Sequence, residues 1–163
     1  VDLSPNYEFG FEGHPNNTTL EHLSELSQLG FKRVSFGVQD YSPTVQKAIN
    51  RIQPFENVKK VHNWARSLGY TSISHDLVFG LPFQTIEDIK HSIKLTNELR
   101  PDRLSFYSYA HVPWIKGVGQ RGFSNADIPK APDKRKFYEL GKSLFEQNGY
   151  KEIGMDHFAL ESD

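Results

Sequence analysis

Arg33-Val34-Ser35-Phe36-Gly37-Val38, followed by Gln39-Asp40 and then Ser42-Pro43, carries the chain from a strand into a helix in one short step. Val and Phe suit a pleated, packed surface. Pro at the first position of a helix gives up only an N–H that would have no partner there. That helix is expected to run to about Asn50. The same unit recurs on both sides. Upstream, Tyr7 to Glu12 (YEFGFE) reads as an aromatic-rich buried strand. Thr18-Thr19 then offers an N-cap for a helix marked by Leu20, Leu23, Leu26 and Leu29 and stopped at Gly30. Downstream, Phe55 to Leu68 places Val58, Val61, Trp64, Ala65 and Leu68 on one helical face, ending at Gly69. Thr71 to Phe79 is a third strand, and Thr85 precedes an acidic first turn, Glu87-Asp88, that suits a helix N-terminus. Arg103 to Tyr109 is a fourth strand, Pro132 to Asn148 a helix stopped by Gly149, and Lys151 to Ile153 the start of a fifth strand.

Strands joined in sequence by helices imply a parallel sheet with right-handed crossovers, in an α/β fold. A doubly wound sheet and part of a (β/α) barrel both satisfy this order. Residues Pro113 to Pro132 form the one long surface loop, basic and glycine-containing, with the character of a lid. The 163 residues, with 37% hydrophobic and 12 Phe, can fill one domain core. The 19 basic and 20 acidic residues balance, which excludes a broad nucleic-acid-binding face. No apolar run approaches the ~20 residues that span a bilayer, so no membrane partner is expected. There is no Cys, so the chain has neither a disulfide framework nor thiolate ligands for an iron–sulfur cluster.

In barrels, reactive groups gather where each strand runs into its following loop. Here Glu12, Gln39-Asp40, Asp76, the Tyr107-Tyr109-His111 group and Asp156-His157 all fall at or near such positions. Each has a plainer reading. Glu12 serves equally as a solvent-exposed loop carboxylate, and Gln39-Asp40 equally as a cap for the helix from Ser42. Arg51 fits a cation at a helix C-terminus. His111 and His157 read as ordinary loop histidines, with no metal-ligand spacing around them. Asp76 interrupts a run that otherwise looks buried, so it is expected to have a dedicated partner. Gly80-Leu81-Pro82 lacks the spacing of a dinucleotide or phosphate loop, and no Gly-x-Ser-x-Gly elbow is present. From the residues alone, the chain is part of an α/β fold with a polar strand-end rim, suited to an enzyme.

Several strings in this order resemble one family. Phe31-Lys32-Arg33-Val34-Ser35-Phe36-Gly37-Val38-Gln39-Asp40, Asn50-Arg51, Asp76-Leu77-Val78-Phe79-Gly80-Leu81-Pro82-Phe83-Gln84-Thr85, Pro101-Asp102-Arg103-Leu104-Ser105, Tyr109-Ala110-His111-Val112-Pro113 and Gly154-Met155-Asp156-His157-Phe158-Ala159 are similar to the oxygen-independent coproporphyrinogen III oxidases, which are radical S-adenosylmethionine (SAM) enzymes. The last two strings favour the oxidase over a haem-chaperone-like relative that binds haem without oxidase activity. The resemblance implies a partial TIM-like (β/α)6 barrel of parallel strands with outer helices. Residues 1–163 would form one portion of it, cut at both ends and starting near the third barrel strand. It implies a [4Fe–4S] cluster on a three-cysteine loop preceding the matched region, and two bound SAM molecules. Matched residue by residue, Glu12, Gln39, Arg51, Asp76 and Ala110 fall on SAM-contacting positions. One departure is Gly13-His14-Pro15, where the family usually has a small apolar and an acidic residue before Pro. The implied reaction converts propionate side chains of coproporphyrinogen III to vinyl groups with loss of carbon dioxide, giving protoporphyrinogen IX in haem biosynthesis. A monomeric, cytoplasmic parent is expected, fed by an electron donor the resemblance does not specify. The 163 residues alone are expected to be inactive and marginally stable.

Overall fold

The computed structural model describes residues 7–112 and 122–163; the first part of the expected lid loop, residues 113–121, lies outside them. Strand β1 (Phe9–Gly13) leads to helix α1 (Leu20–Gln28), β2 (Phe31–Gln39), α2 (Pro43–Ala48), α3 (Phe55–Ser67), β3 (Ser72–Phe79), α4 (Ile86–Leu99) and β4 (Arg103–Ser108). A 3-10 turn (Asn125–Asp127), α5 (Ala131–Gln147), β5 (Tyr150–Gly154) and β6 (His157–Leu160) complete it. The helix starts follow the chain's own chemistry. Thr19 and Thr85 each close a capping box, with His22 and Asp88 respectively reaching back from the third helical position.

The six strands form one sheet in the order β1-β2-β3-β4-β6-β5. β1 through β4 are parallel, as the βα alternation requires. The fifth strand departs from that expectation. β5 does not join β4; it turns back as a hairpin, and β6 inserts antiparallel between β4 and β5. The reason is the turn itself: Met155 (φ 50°) and Asp156 (φ 62°) both lie in the left-handed region, the geometry that matches a two-residue hairpin turn to strand twist.

Strand alternation sorts the side chains into two faces. Val34, Phe36, Val38, Ile73, Leu77, Leu104, Phe106 and Phe158 are buried, on the face that the helices cover. There they form two apolar clusters. One is centred on Leu23, Val61, Ala65 and Tyr70, the other on Val58, Ile89, Ile93, Phe137 and Phe145. Gly141 of α5 is required by this packing: a Cβ there would lie 2.3 Å from the Phe106 ring, so the helix reaches β4 only without a side chain. The residues of opposite parity, Gly10 and Glu12, Arg33 and Ser35, Ser72, Ser74 and Asp76, Arg103, Ser105 and Tyr107, and His157, line a cavity on the other, inner face.

Candidate functional site

That inner face is polar because of the alternation, and the register sets its rows. Glu12 stands opposite Ser35, and Gly37 opposite Asp76, while Asp76 stands opposite Ser105 and Ser105 opposite His157. Asp76 therefore belongs to a regular polar row of β3 (Ser72, Ser74, Asp76) and does not interrupt a buried run, which corrects the sequence reading. The partner expected for it is Ser35, whose hydroxyl donates to Oδ2 at 2.6 Å. The cavity that Glu12 and Asp76 share measures about 440 Å³.

Arg51 enters this rim from the segment after α2. Its Nη2 donates to the Gly37 carbonyl at 2.6 Å, and its Nε is buried without a hydrogen-bond partner. Burial pulls its pKa down, and the Glu12 and Asp76 carboxylates push back up. Its position is therefore more than a helix C-terminal cation. Gly37 makes the arrangement possible. A Cβ there would meet Arg51 Nη2 at 2.8 Å and Gln39 Nε2 at 3.0 Å, so both side chains fold over a bare stretch of backbone. Gln39 reaches it from φ 69°, a left-handed conformation that a side chain disfavours. The structure thus brings Glu12, Gln39, Arg51 and Asp76 to one end of one face. Ala110 is exposed just past β4, outside the lining of this cavity. His14, at the departure from the family pattern, has its pKa lowered by burial and by the Arg51 charge.

Two motif residues serve the scaffold. Asp40 is 1% exposed; its Oδ1 accepts the Ser42 N–H at 2.5 Å, the capping reading of that position. Its Oδ2 accepts Gln84 Nε2 at 2.7 Å, while Gln84 Oε1 accepts the Gly80 N–H at 2.6 Å. The Gln-Asp and Gly-Leu-Pro-x-Gln strings are therefore one cross-linked unit holding the loops after β2 and β3. Burial raises the Asp40 pKa to about 6.

Sequence reasoning passed over Ser35, Gly37 and the Tyr107–His157 pair. The first two were legible as the polar partners of Val34, Phe36 and Val38 in a period-two strand. His157 is a strand residue, not a loop histidine. Its Nδ1 lies 2.7 Å from the Met155 carbonyl and its Nε2 lies 3.0 Å from the Tyr107 hydroxyl. A carbonyl only accepts, so Nδ1 carries the proton and Nε2 accepts from Tyr107.

Residues 5–96, more than half of the chain, match the sequence profile of the Radical SAM superfamily. The chain belongs to the radical SAM superfamily. The family brings SAM and a [4Fe–4S] cluster as its cofactors. Among similar proteins, the oxygen-independent coproporphyrinogen III oxidase of Helicobacter pylori strain J99 is 44% identical over 97% of this chain and 34% of its own length. That of Escherichia coli K12 is 41% identical over 96% of this chain and 34% of its own length. The solved structure of the Escherichia coli coproporphyrinogen III oxidase, described as a radical SAM enzyme, superposes with a TM-score of 0.88 at 40% identity. It covers 96% of this chain and 36% of the solved chain. This radical SAM chain thus spans about a third of the length of the relatives it matches. With no Cys among its residues, it offers no thiolates to the cluster, and the described residues hold no group of His, Asp or Glu fit for a metal ion. No described helix is long and apolar enough to cross a membrane.

Proposed function

We propose that this chain is the SAM-holding portion of an oxygen-independent coproporphyrinogen III oxidase, acting in haem biosynthesis. The observation that carries the reading is the convergence of Glu12, Gln39, Arg51 and Asp76 around Gly37. These residue types complement SAM. Its amino and sulfonium groups are cationic and suit the Glu12 and Asp76 carboxylates; its carboxylate suits Arg51, whose Nε has no protein partner. The Gln39 amide and the Ser35 hydroxyl provide neutral hydrogen-bonding partners for ribose and base. Ala110 would add a backbone contact from the end of β4. Two SAM molecules per full-length protein agree with the family pattern.

When bound, SAM supplies the hydrogen-abstracting chemistry of the superfamily. The share of this chain is to bind, orient and shield. Fixed carboxylates on β1 and β3, the two strands that flank β2, hold a cationic ligand in one pose, and the Ser35 hydrogen bond keeps the Asp76 carboxylate from rotating. The parallel strands set the spacing of Glu12, Ser35 and Asp76, so these three contacts are built into the sheet, while Arg51 joins them from the segment after α2.

The substrate reading rests on the named relatives, at 41–44% identity across almost all of this chain. The test uses the full-length protein, reconstituted anaerobically. SAM binding is measured by calorimetry, and conversion of coproporphyrinogen III to protoporphyrinogen IX is followed by chromatography. Asp76→Asn and Glu12→Gln are expected to weaken SAM at least about tenfold, as loss of a charge-assisted contact worth ~1.5–3 kcal/mol implies. Unchanged SAM affinity in both variants would remove the site. Absence of protoporphyrinogen from the wild type would remove the reaction.

A further inference from the structure

We infer that the β5–β6 hairpin is the wall against which the porphyrinogen lies, with Ile153 and Met155 meeting the macrocycle and the Tyr107 hydroxyl meeting one of its carboxylates. The inference deepens the proposed function and rests on it. It begins from the inner face of the sheet, whose character changes from one edge to the other. Glu12, Ser35 and Asp76 make the β1–β3 side acidic and hydroxylic. Tyr107 and His157 follow on β4 and β6, and Ile153 comes last on β5. A second cavity, of about 580 Å³, opens beside the first. Its lining combines Arg103, Tyr107 and His157, all shared with the central cavity, with Ile153, Gly154, Met155 and Asp156. A ligand seated there reaches the Glu12–Asp76 rim without leaving the face.

The second cavity is lined mainly by apolar surface that no described residue covers. Ile153 is 54% exposed and Met155 is 91% exposed. Neither position is explained by folding. Ile153 falls at the irregularity in the β5–β6 register, between the pairs Glu152–Phe158 and Gly154–His157, where its side chain gains no core. Met155 occupies a left-handed turn position that Asn or Gly would fill with less strain. Large apolar side chains held in such places at a cavity mouth mark a surface for an apolar ligand.

The polar groups of the lining include the Tyr107 hydroxyl and Arg103 as well as the Asp156 carboxylate, and the first two offer a place to an anionic arm of the ligand. Met155 fixes the His157 tautomer through its carbonyl, and His157 fixes the Tyr107 hydroxyl. This holds the phenolic O–H at the junction of the two cavities, where it donates to His157; a ligand carboxylate engages it by exchanging that bond for its own. Arg103 lines both cavities and adds positive charge, although its Nε is paired with Asp163. A flexible apolar ring carrying carboxylates satisfies both halves: ring on the hairpin, one arm past Tyr107 toward the SAM rim.

The test uses the full-length protein with its cluster and SAM, and steady-state turnover of coproporphyrinogen III. Met155→Glu sits at an exposed turn, and its SAM affinity reports whether the fold is kept. Its KM for the porphyrinogen is expected to rise about tenfold, with SAM affinity within about twofold of wild type. Tyr107→Phe keeps the ring and is expected to raise that KM about threefold by losing one hydrogen bond. A Met155→Glu enzyme with wild-type KM for the porphyrinogen overturns the wall; the hairpin then faces another part of the full-length chain. A wild-type protein that binds SAM but never turns over coproporphyrinogen instead overturns the function on which the wall rests.

Discussion

Gln39 holds φ 69° with an amide side chain that lies against Gly37 beside Arg51. A non-glycine residue in the left-handed region costs ~1–2 kcal/mol, and such strain persists where the surroundings impose it, often at ligand sites. Gln39→Gly separates the backbone from the amide. It is expected to keep or raise the melting temperature while weakening SAM in the full-length protein; calorimetry and a thermal melt on the same sample check both. A variant that loses stability and keeps SAM affinity would make Gln39 a scaffold residue. Gly37 gives the converse experiment. Gly37→Ala places a methyl 2.8 Å from Arg51 Nη2, closer than a Cβ can stay, and 3.0 Å from Gln39 Nε2, a tight contact. Both side chains must shift, so SAM affinity is expected to fall about tenfold or more although Ala carries no charge. Wild-type affinity in Gly37→Ala would show that neither side chain needs its present position.

At the scale of elements, the seam between α3 and β3 carries a buried pair, His62 Nδ1 and His75 Nε2 at 3.1 Å. Burial lowers the His62 pKa to about 4 and that of His75 well below its usual value. Both rings are therefore neutral in the fold and gain protons on unfolding below about pH 6.5. Their stabilisation is complete above that pH and is lost as pH falls toward 4, on the order of 3 kcal/mol for His62 alone. Asp40 acts in the opposite sense. Its pKa, raised to about 6, favours the fold below about pH 4 and loses that advantage as pH rises through 6. The two histidines outweigh the one carboxylate, so stability should rise between pH 4 and 6.5. In the double variant His62→Leu/His75→Met, the contribution of the buried pair disappears, and Asp40 remains with the weaker, opposite effect of His14. The slope between pH 4 and 6 should then fall well below that of the wild type, read from urea midpoints at fixed ionic strength; an unaltered slope would assign the acid sensitivity elsewhere. The same scale shows what was legible in the sequence. β1 to β4 and their helices follow from period-two strands, Thr caps and Gly stops, because those signals are local. The β5–β6 hairpin does not, because its turn is Met155-Asp156, without the Asn-Gly or Asp-Gly pair that announces two left-handed residues. Missing the hairpin turned His157 into a loop residue and hid its meeting with Tyr107. The Asp40–Gln84 bond joins positions 44 residues apart, so spacing along the chain could not reveal it.

For the molecule as a whole, the sheet is covered on its outer face by α1, α3, α4 and α5 and carries its polar cavity on the inner face. Among the described residues, β1 pairs only with β2, which leaves one row of β1 backbone donors and acceptors without a strand. An unpaired edge is a template for pairing with a second chain. Here the edge lies beside Tyr7, Phe9 and Phe11, whose rings meet one another, Phe31 and Tyr70 in tilted and edge-on contacts. The 163-residue polypeptide expressed alone is therefore expected to associate as its concentration rises, seen as an increasing apparent mass in light scattering. It should also show no broad visible absorbance after anaerobic addition of iron and sulfide, since it has no thiolate to hold a cluster. Association and cluster assembly test different properties, one the β1 edge and the other the ligand set. A monomer with one sharp unfolding transition would mean that the aromatic row of β1 protects its own edge. A reconstituted cluster would require ligands other than cysteine.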